Sequence, residues 1–480
     1  MAAKGNVPQI NFPGRVCNRH LSAGAALWLL IAQTFSDEDA VPLTHRINRR
    51  ALLGAAAVPL LLSMPRPALA ADDGTAVLAD WYRLVLELVR HTATYSPPVA
   101  SRSFAYLGIT LHEALVGGPG GLVSLAGQVQ GLTALPKPPA GLDPALVLQG
   151  AFTTAIPVLF SRTGPTGQRA MAAMAARQDK ALARRADAAT DAASRAHGAA
   201  VAAHILAWAE TDGGAEIENM GFPMEAAKDK LLSQWVPTSK VAVQQAPLLP
   251  YWGTVRTFVL SSGADCGLPP PPDFSEEPGS AFYNEAKEVY DTSRSLTDEQ
   301  KLIARFWSDD PMLSSTPPGH WISIMLGIFA RDATPIDRQA EVLALLGIAV
   351  ADAFIACWDA KFKYDLVRPI TYIRRLFDPK WEPLLNTPPF PEYPSGHSTQ
   401  SGAAAGVLTA LFGEGFGFDD ATHEDDGLPV RPYASFAEAA NEAAISRLYG
   451  GIHFRAAIDQ GLAQGACIAA KVTQLKTREA

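Results

Sequence analysis

The chain has 480 residues, a formal net charge of −8 and 48% hydrophobic residues. That length can bury one large core or two smaller ones, and the acidic balance argues against nucleic acid as a partner. Alanine is abundant and β-branched runs are scarce, so the composition points to an all-α fold.

Residues 1–70 read as a leader. Asn48-Arg49-Arg50 precedes an apolar stretch from Ala51 to Met64, and Ala68-Leu69-Ala70 is a small-x-small cleavage pattern. This is the pattern of a twin-arginine signal, so the mature chain is expected to begin at Ala71, outside the cytoplasm, in the periplasm or beyond it. Removing the leader takes away seven Lys/Arg and three acids, which leaves a charge of about −12. No later stretch is expected to reach membrane-spanning length without charges or breakers.

Val77–Arg90 carries a helical apolar stripe, and a second stripe over Arg102–Val116 is stopped by Gly117-Gly118-Pro119-Gly120-Gly121. An Ala/Arg-rich stretch from Gln168 to Glu210 ends at Gly213-Gly214, and proline is frequent from Pro237 to Pro278, as in a linker or a surface-hugging connection. The expected organisation is therefore an N-terminal helical bundle over 71–245 and a C-terminal helical bundle over 246–480. Thr297 with Gln300 forms a capping box, and Thr334-Pro335 opens a long helix that reaches Lys361.

Several polar features read as structural. His112-Glu113 lies mid-helix and is expected to be exposed or satisfied in the core. Asp419, Asp420, Glu424, Asp425 and Asp426 lack EF-hand spacing and read as a solvated acidic loop. Cys17 leaves with the leader; Cys266, Cys357 and Cys467 make no disulfide framework, and burial is expected for Cys357 and Cys467.

Three segments of the last quarter carry chemistry. They are Lys361-x6-Arg368-Pro369, Pro394-Ser395-Gly396-His397 and Ser446-Arg447-x5-His453. Together they offer three cations, a hydroxyl, a glycine amide and two histidines, which suits a tetrahedral oxyanion. Residues seven apart on a helix fall about 20° short of two full turns, so Lys361 and Arg368 are expected on one face, with Trp358 a turn earlier. Gly450-Gly451 is expected to break the helix carrying Arg447 so that His453 can converge on it. New helices are expected from Ser398 to Phe412 and from His453 to about Lys476, aiming two positive helix ends at one anion.

At these three segments the chain resembles the vanadium-dependent haloperoxidases and their relatives in the phosphatidic acid phosphatase superfamily, which includes bacterial acid phosphatases. The resemblance implies two helical bundles of the vanadium chloroperoxidase and acid phosphatase type, with vanadate as cofactor. Lys361, Arg368 and Arg447 would neutralise its oxygens, Ser395 and the Gly396 amide would hydrogen-bond to it, and His397 would be the acid–base residue. His453 would bond to vanadium, and Lys361 would also act on the peroxide. Trp358 and Phe390 match positions that line the vanadate pocket in fungal chloroperoxidases. The implied partners are hydrogen peroxide, halide and a small organic acceptor, with a homodimer left open. The phosphatase branch implies instead a phosphohistidine at His453 and no vanadate. Relatives carry an Asp four residues after the second histidine, where this chain has Ala457, which leaves the partner of His453 unassigned.

Overall fold

The computed structural model describes residues 73–220, 229–238 and 246–479. The leader, with Arg49, Arg50 and its cleavage pattern, lies outside the described residues. The helices are α1 (Asp73–Arg90), α2 (Pro97–Leu115), α3 (Pro144–Leu159), α4 (Gly164–Leu182), α5 (Ala188–Ala209), α6 (Gly214–Met220), α7 (Ala281–Arg294) and α8 (Asp298–Phe306). They continue as α9 (Thr316–Asp332), α10 (Ile336–Tyr364), α11 (Pro369–Leu376), α12 (Gly396–Phe412), α13 (Phe436–Tyr449) and α14 (Arg455–Val472). One antiparallel pair, β1 (Phe418–Asp420) with β2 (Arg431–Tyr433), interrupts the all-α fold between α12 and α13.

Local chemistry explains the boundaries. The Thr297–Gln300 capping box forms as expected, and Asp143, Asp187, Ser280 and Ser435 each cap a helix through a side-chain oxygen. Asp187 divides the Ala/Arg-rich stretch into α4 and α5 by accepting from the Ala189 and Thr190 amides. His112 and Glu113 are buried in the core: His112 Nε2 bonds the Val123 carbonyl at 2.8 Å while its Nδ1 finds no partner among the described residues, and Glu113 accepts from Ser124 and the Leu125 amide.

The centre of the molecule is α10, which packs most extensively on α2 and also on α12. Gly108 of α2 meets it so closely that a Cβ there would sit 2.5 Å from the Leu343 carbonyl oxygen. α10 is long and apolar enough to cross a membrane, although the charged Asp352 lies within it, and its apolar stretch is wholly buried within the fold. The proline-rich segment is no loose linker either. Asp352 of α10, fully buried, accepts from the amides of Phe258, Val259 and Leu260 at 2.7, 2.9 and 3.2 Å, and Trp252, Phe258 and Leu260 enter the core.

Two cysteine expectations are corrected. Cys266 and Cys467 form a disulfide across 201 residues, joining that segment to α14, and Cys467 is exposed rather than buried. The pairing leaves no trace in local spacing because the two residues meet only through helix packing. Cys357 is free and buried, as expected.

Candidate active site: a buried cationic pocket around His453

The pocket is assembled where α10, α12, α13 and α14 meet. Lys361 occupies the last turn of α10, and Asp365, in the left-handed conformation at φ 46°, ends that helix. The chain then runs extended to Arg368, which caps α11. Lys361 and Arg368 therefore do not share one helix face, as their spacing suggested; they converge because the chain turns at Asp365. Asp365 is held there by Lys230 at 2.6 Å.

The irregular, Pro-rich segment 388–395 is bonded by both Lys361 and Arg368. Lys361 Nζ donates to the carbonyls of Pro391 and Glu392, both at 2.9 Å, and to that of Pro394. Arg368 donates to the Phe390 and Ile452 carbonyls at 2.9 Å, and its Nη1 lies 3.2 Å from His453 Nε2. The Phe390 ring lies between both cations, 5.2 Å from Lys361 Nζ and 5.0 Å from the Arg368 guanidinium carbon. Trp358 lies 4.9 Å from Phe390, ring to ring, and its indole donates to the Leu248 carbonyl, closing an apolar wall.

Ser395 and His397 start α12. The Ser395 hydroxyl accepts from the Ser398 amide at 3.3 Å, so it caps the helix whose first residue is Gly396. The helix is seated against α14 by glycines: a Cβ on Gly461 would lie 2.9 Å from the Ser395 carbonyl oxygen, and one on Gly465 would lie 2.3 Å from that of Thr399. Gly450 and Gly451 break α13 from α14 as expected, Gly451 adopting φ 75°, and α14 begins at Arg455, two residues beyond His453. Arg447, in the last turn of α13, donates to the Trp307 and Ala304 carbonyls and to Ser446 Oγ.

His453 has a partner that its own sequence neighbourhood did not reveal. Glu392 Oε1 lies 2.8 Å from His453 Nδ1 and also accepts from the Phe454 amide at 2.9 Å. Nδ1–H on Glu392 turns the Nε2 lone pair toward the cations, where Arg368 Nη1 approaches it in this structure and an oxyanion or metal centre could take it instead. Glu392 stands three residues before Ser395, which caps α12, and its visible signal is an acid in a stretch otherwise built of prolines and aromatics.

Electrostatically, the pocket is loaded with unneutralised positive charge. Among the described residues, none of Lys361, Arg368 and Arg447 pairs with a carboxylate at ion-pair distance. Burial pushes Lys361 down to about 7 and both arginines down to about 10. Three carbonyl acceptors favour the charged lysine against that burial. Burial and then the charges of Arg368, Lys361, Arg447 and His397 push His453 well below its ordinary value, which keeps it neutral. Burial pushes Glu392 up to about 8, opposed by Arg368 and Lys361. His397 is partly exposed, but its Nε2 is buried without a partner; that burial and the Arg447 charge hold it well below the usual imidazole range.

These directions carry a testable consequence. A histidine whose folded value is depressed favours folding when neutral, and this contribution is lost as pH falls below the unfolded value near 6.5. Replacing His397 by glutamine should therefore improve stability relative to wild type as pH falls from 7 to 5, by up to about 1.4 kcal/mol per pH unit. Paired thermal melts across that range test it, and a constant difference between the two proteins would refute the assignment.

The residues fit a vanadate-type oxyanion. Arg368 Nη2 and His397 Nε2 are buried polar atoms without partners, and three cations surround a neutral imidazole. An anion placed there supplies the missing acceptors and the missing negative charge.

Comparison with known proteins agrees. Residues 341–479 match the family model for the VCPO second helical-bundle domain. The chain is 38% identical over 79 residues to the vanadium chloroperoxidase of Curvularia inaequalis, and 39% identical over 94 residues to the vanadium-dependent bromoperoxidase of Ascophyllum nodosum. These matches cover 13% and 17% of this chain, and the chain spans only 13% and 17% of the length of those two relatives. A bacterial vanadium-dependent chloroperoxidase in its holo form, 16% identical, has the same fold with a TM-score of 0.59 over 80% of this chain and 94% of its own. A bacterial vanadium-dependent iodoperoxidase structure is 37% identical with a TM-score of 0.76, over 85% of this chain and 97% of its own. Similarity at that level over nearly a whole relative places the chain in the vanadium-dependent haloperoxidase family.

Proposed function

We propose that this protein holds vanadate and oxidises halide with hydrogen peroxide, converting peroxide, halide and a proton into hypohalous acid and water. The observation that carries the reading is the neutral His453 Nε2, oriented by Glu392 and ringed by three buried cations that lack carboxylate partners. Iodide is the halide we assign, since the iodoperoxidase is similar over 97% of its length.

In this reading His453 ligates vanadium through Nε2, and Lys361, Arg368, Arg447, Ser395 and the Gly396 amide hold the vanadate oxygens. Bound vanadate supplies a Lewis-acid centre at which hydrogen peroxide becomes electrophilic toward halide. His397 Nε2, neutral and without a partner, takes up and returns the proton that the reaction moves. Trp358 and Phe390 keep bulk water from one side of the pocket. A small organic acceptor then consumes the hypohalous acid in solution. We also propose export by the twin-arginine route, on the strength of Arg49-Arg50 and Ala68-Leu69-Ala70, and a division of the mature chain into two helical bundles near residue 245.

The decisive assay compares two reactions. Protein reconstituted with orthovanadate should oxidise iodide with hydrogen peroxide, and more slowly bromide, while vanadium-free protein should leave p-nitrophenyl phosphate almost untouched. Brisk phosphate-ester hydrolysis without vanadium, inhibited by vanadate and unaccompanied by halide oxidation, would make His453 the nucleophile of an acid phosphatase instead.

A further inference from the structure

Behind the pocket lies a second cluster that the proposed reaction does not use. Asp309, His320 and His423 are buried, and one ligand atom from each lies within 4.8 Å of the others. Both Asp309 oxygens are 3.0 Å from His320 Nδ1, and Asp309 Oδ1 is 3.2 Å from His423 Nε2. The far nitrogen of each ring is also occupied by a carboxylate: His320 Nε2 meets Asp420 at 2.8 Å, and His423 Nδ1 meets Asp426 at 3.0 Å.

We propose that Asp309 Oδ, His320 Nδ1 and His423 Nε2 bind a divalent cation of the zinc class. Two imidazoles and one carboxylate are a borderline-soft set that suits this metal, with the fourth position left for water. Tetrahedral ligation at zinc bond lengths puts ligand atoms roughly 3.3 Å apart, so the two Asp309–histidine distances need to open by only a few tenths of an ångström. The outer carboxylates do what carboxylates do around metal-bound histidines: Asp420 and Asp426 fix which nitrogen of each ring faces inward. The rings are also held mechanically. Trp307 stacks on His320 at 4.4 Å and 13°, and Phe306 meets both imidazoles edge-on at 5.5 and 5.3 Å.

Access exists from solvent. A cavity of about 280 Å³ lined by Ser308, Asp310, His423 and Asp426 adjoins the cluster and brings solvent to the Asp426 side of His423. The location gives the cation a task. Asp309, in the left-handed region at φ 48°, belongs to the turn whose Trp307 carbonyl receives Arg447, and whose Ser308 backbone meets His397. A metal on Asp309 pins that turn to α9 and to the loop after β1, and so positions Arg447 and His397 from behind. The proposal stands on these side chains alone and does not require the halide-oxidising reading.

The test uses the whole protein, stripped with a chelator and free of vanadate. Cobalt(II) should bind at one equivalent, giving the visible absorption of a four- or five-coordinate ion; zinc should displace it and raise the melting temperature through binding to the folded state. His423→Ala should weaken cobalt binding at least about a hundredfold, while His91→Ala, on an exposed histidine, should leave it unchanged. Absence of stoichiometric cobalt and zinc binding in the wild type at submillimolar concentration would overturn the proposal, leaving a proton-bridged Asp–His network. Binding undiminished in a folded His423→Ala protein would overturn it equally. If His423→Ala fails to fold, the wild-type titration still decides.

Discussion

Replacing His453 by alanine is expected to give a folded protein that retains no vanadium through gel filtration and loses halide oxidation by at least about 10²–10³-fold, the scale set by single groups acting at the reacting centre. The fold should survive because Glu392 keeps its bond from the Phe454 amide, and the turn at 452–454 is backed by Phe282, which packs on Phe454 at 5.1 Å and on Tyr372 at 5.1 Å. Glu392→Gln isolates the positioning component. It keeps a side chain of the same size beside Nδ1 but removes the carboxyl group that orients the imidazole, so vanadate affinity should fall about 10–100-fold. Equilibrium dialysis followed by vanadium analysis reads both variants, with melting curves as the control for folding. Vanadium retained at wild-type affinity by His453→Ala would mean that the anion is held by the cations without a bond from the imidazole.

How much of this was legible in the sequence differs from residue to residue, for physical reasons. Arg447 and His453 could be assigned because a Gly-Gly pair is a local signal: it ends a helix wherever it is placed, and the break it makes is the one found. Lys361 and Arg368 meet in the pocket, but by a route that the spacing misdescribed. A seven-residue interval looks helical, whereas the left-handed Asp365 that ends α10 is stabilised by Lys230, 135 residues away in sequence. Glu392 was missed for a related reason, since its contact with His453 spans 61 residues and an isolated acid carries no periodicity. Asp420 was read as part of a solvated loop, yet it is fully buried, because the short β1–β2 pair turns it inward onto His320. Asp426, from the same run, pairs with Arg90 and His423. In each case a partner far away in sequence decided the outcome. The Cys266–Cys467 bond is the extreme instance.

A large effect on anion affinity is also expected from the arginines. Arg368→Met should weaken orthovanadate binding by about 3–5 kcal/mol, the cost of removing one member of a buried charge arrangement, or roughly 10²–10⁴-fold. Arg447→Met should do the same. The empty protein behaves differently. Burial without a carboxylate already pushes both guanidiniums down to about 10, so the charge itself does not support the unliganded fold. What Arg368→Met removes there is hydrogen bonding to the Phe390 and Ile452 carbonyls, at about 1–3 kcal/mol for each acceptor left unsatisfied. Melting curves with and without orthovanadate separate the two contributions: the variant should melt somewhat lower than wild type when empty and should lose nearly all of the vanadate-induced rise. Arg368→Lys should recover little, because one ammonium cannot reproduce the fork that spans two carbonyls and His453. Because the pocket is buried, raising salt from 0.05 to 0.5 M should change wild-type vanadate affinity only about twofold, whereas a surface basic patch would lose far more over the same range. A full vanadate-induced rise in both arginine variants, or a steep salt dependence in the wild type, would place the anion on the surface and not against His453.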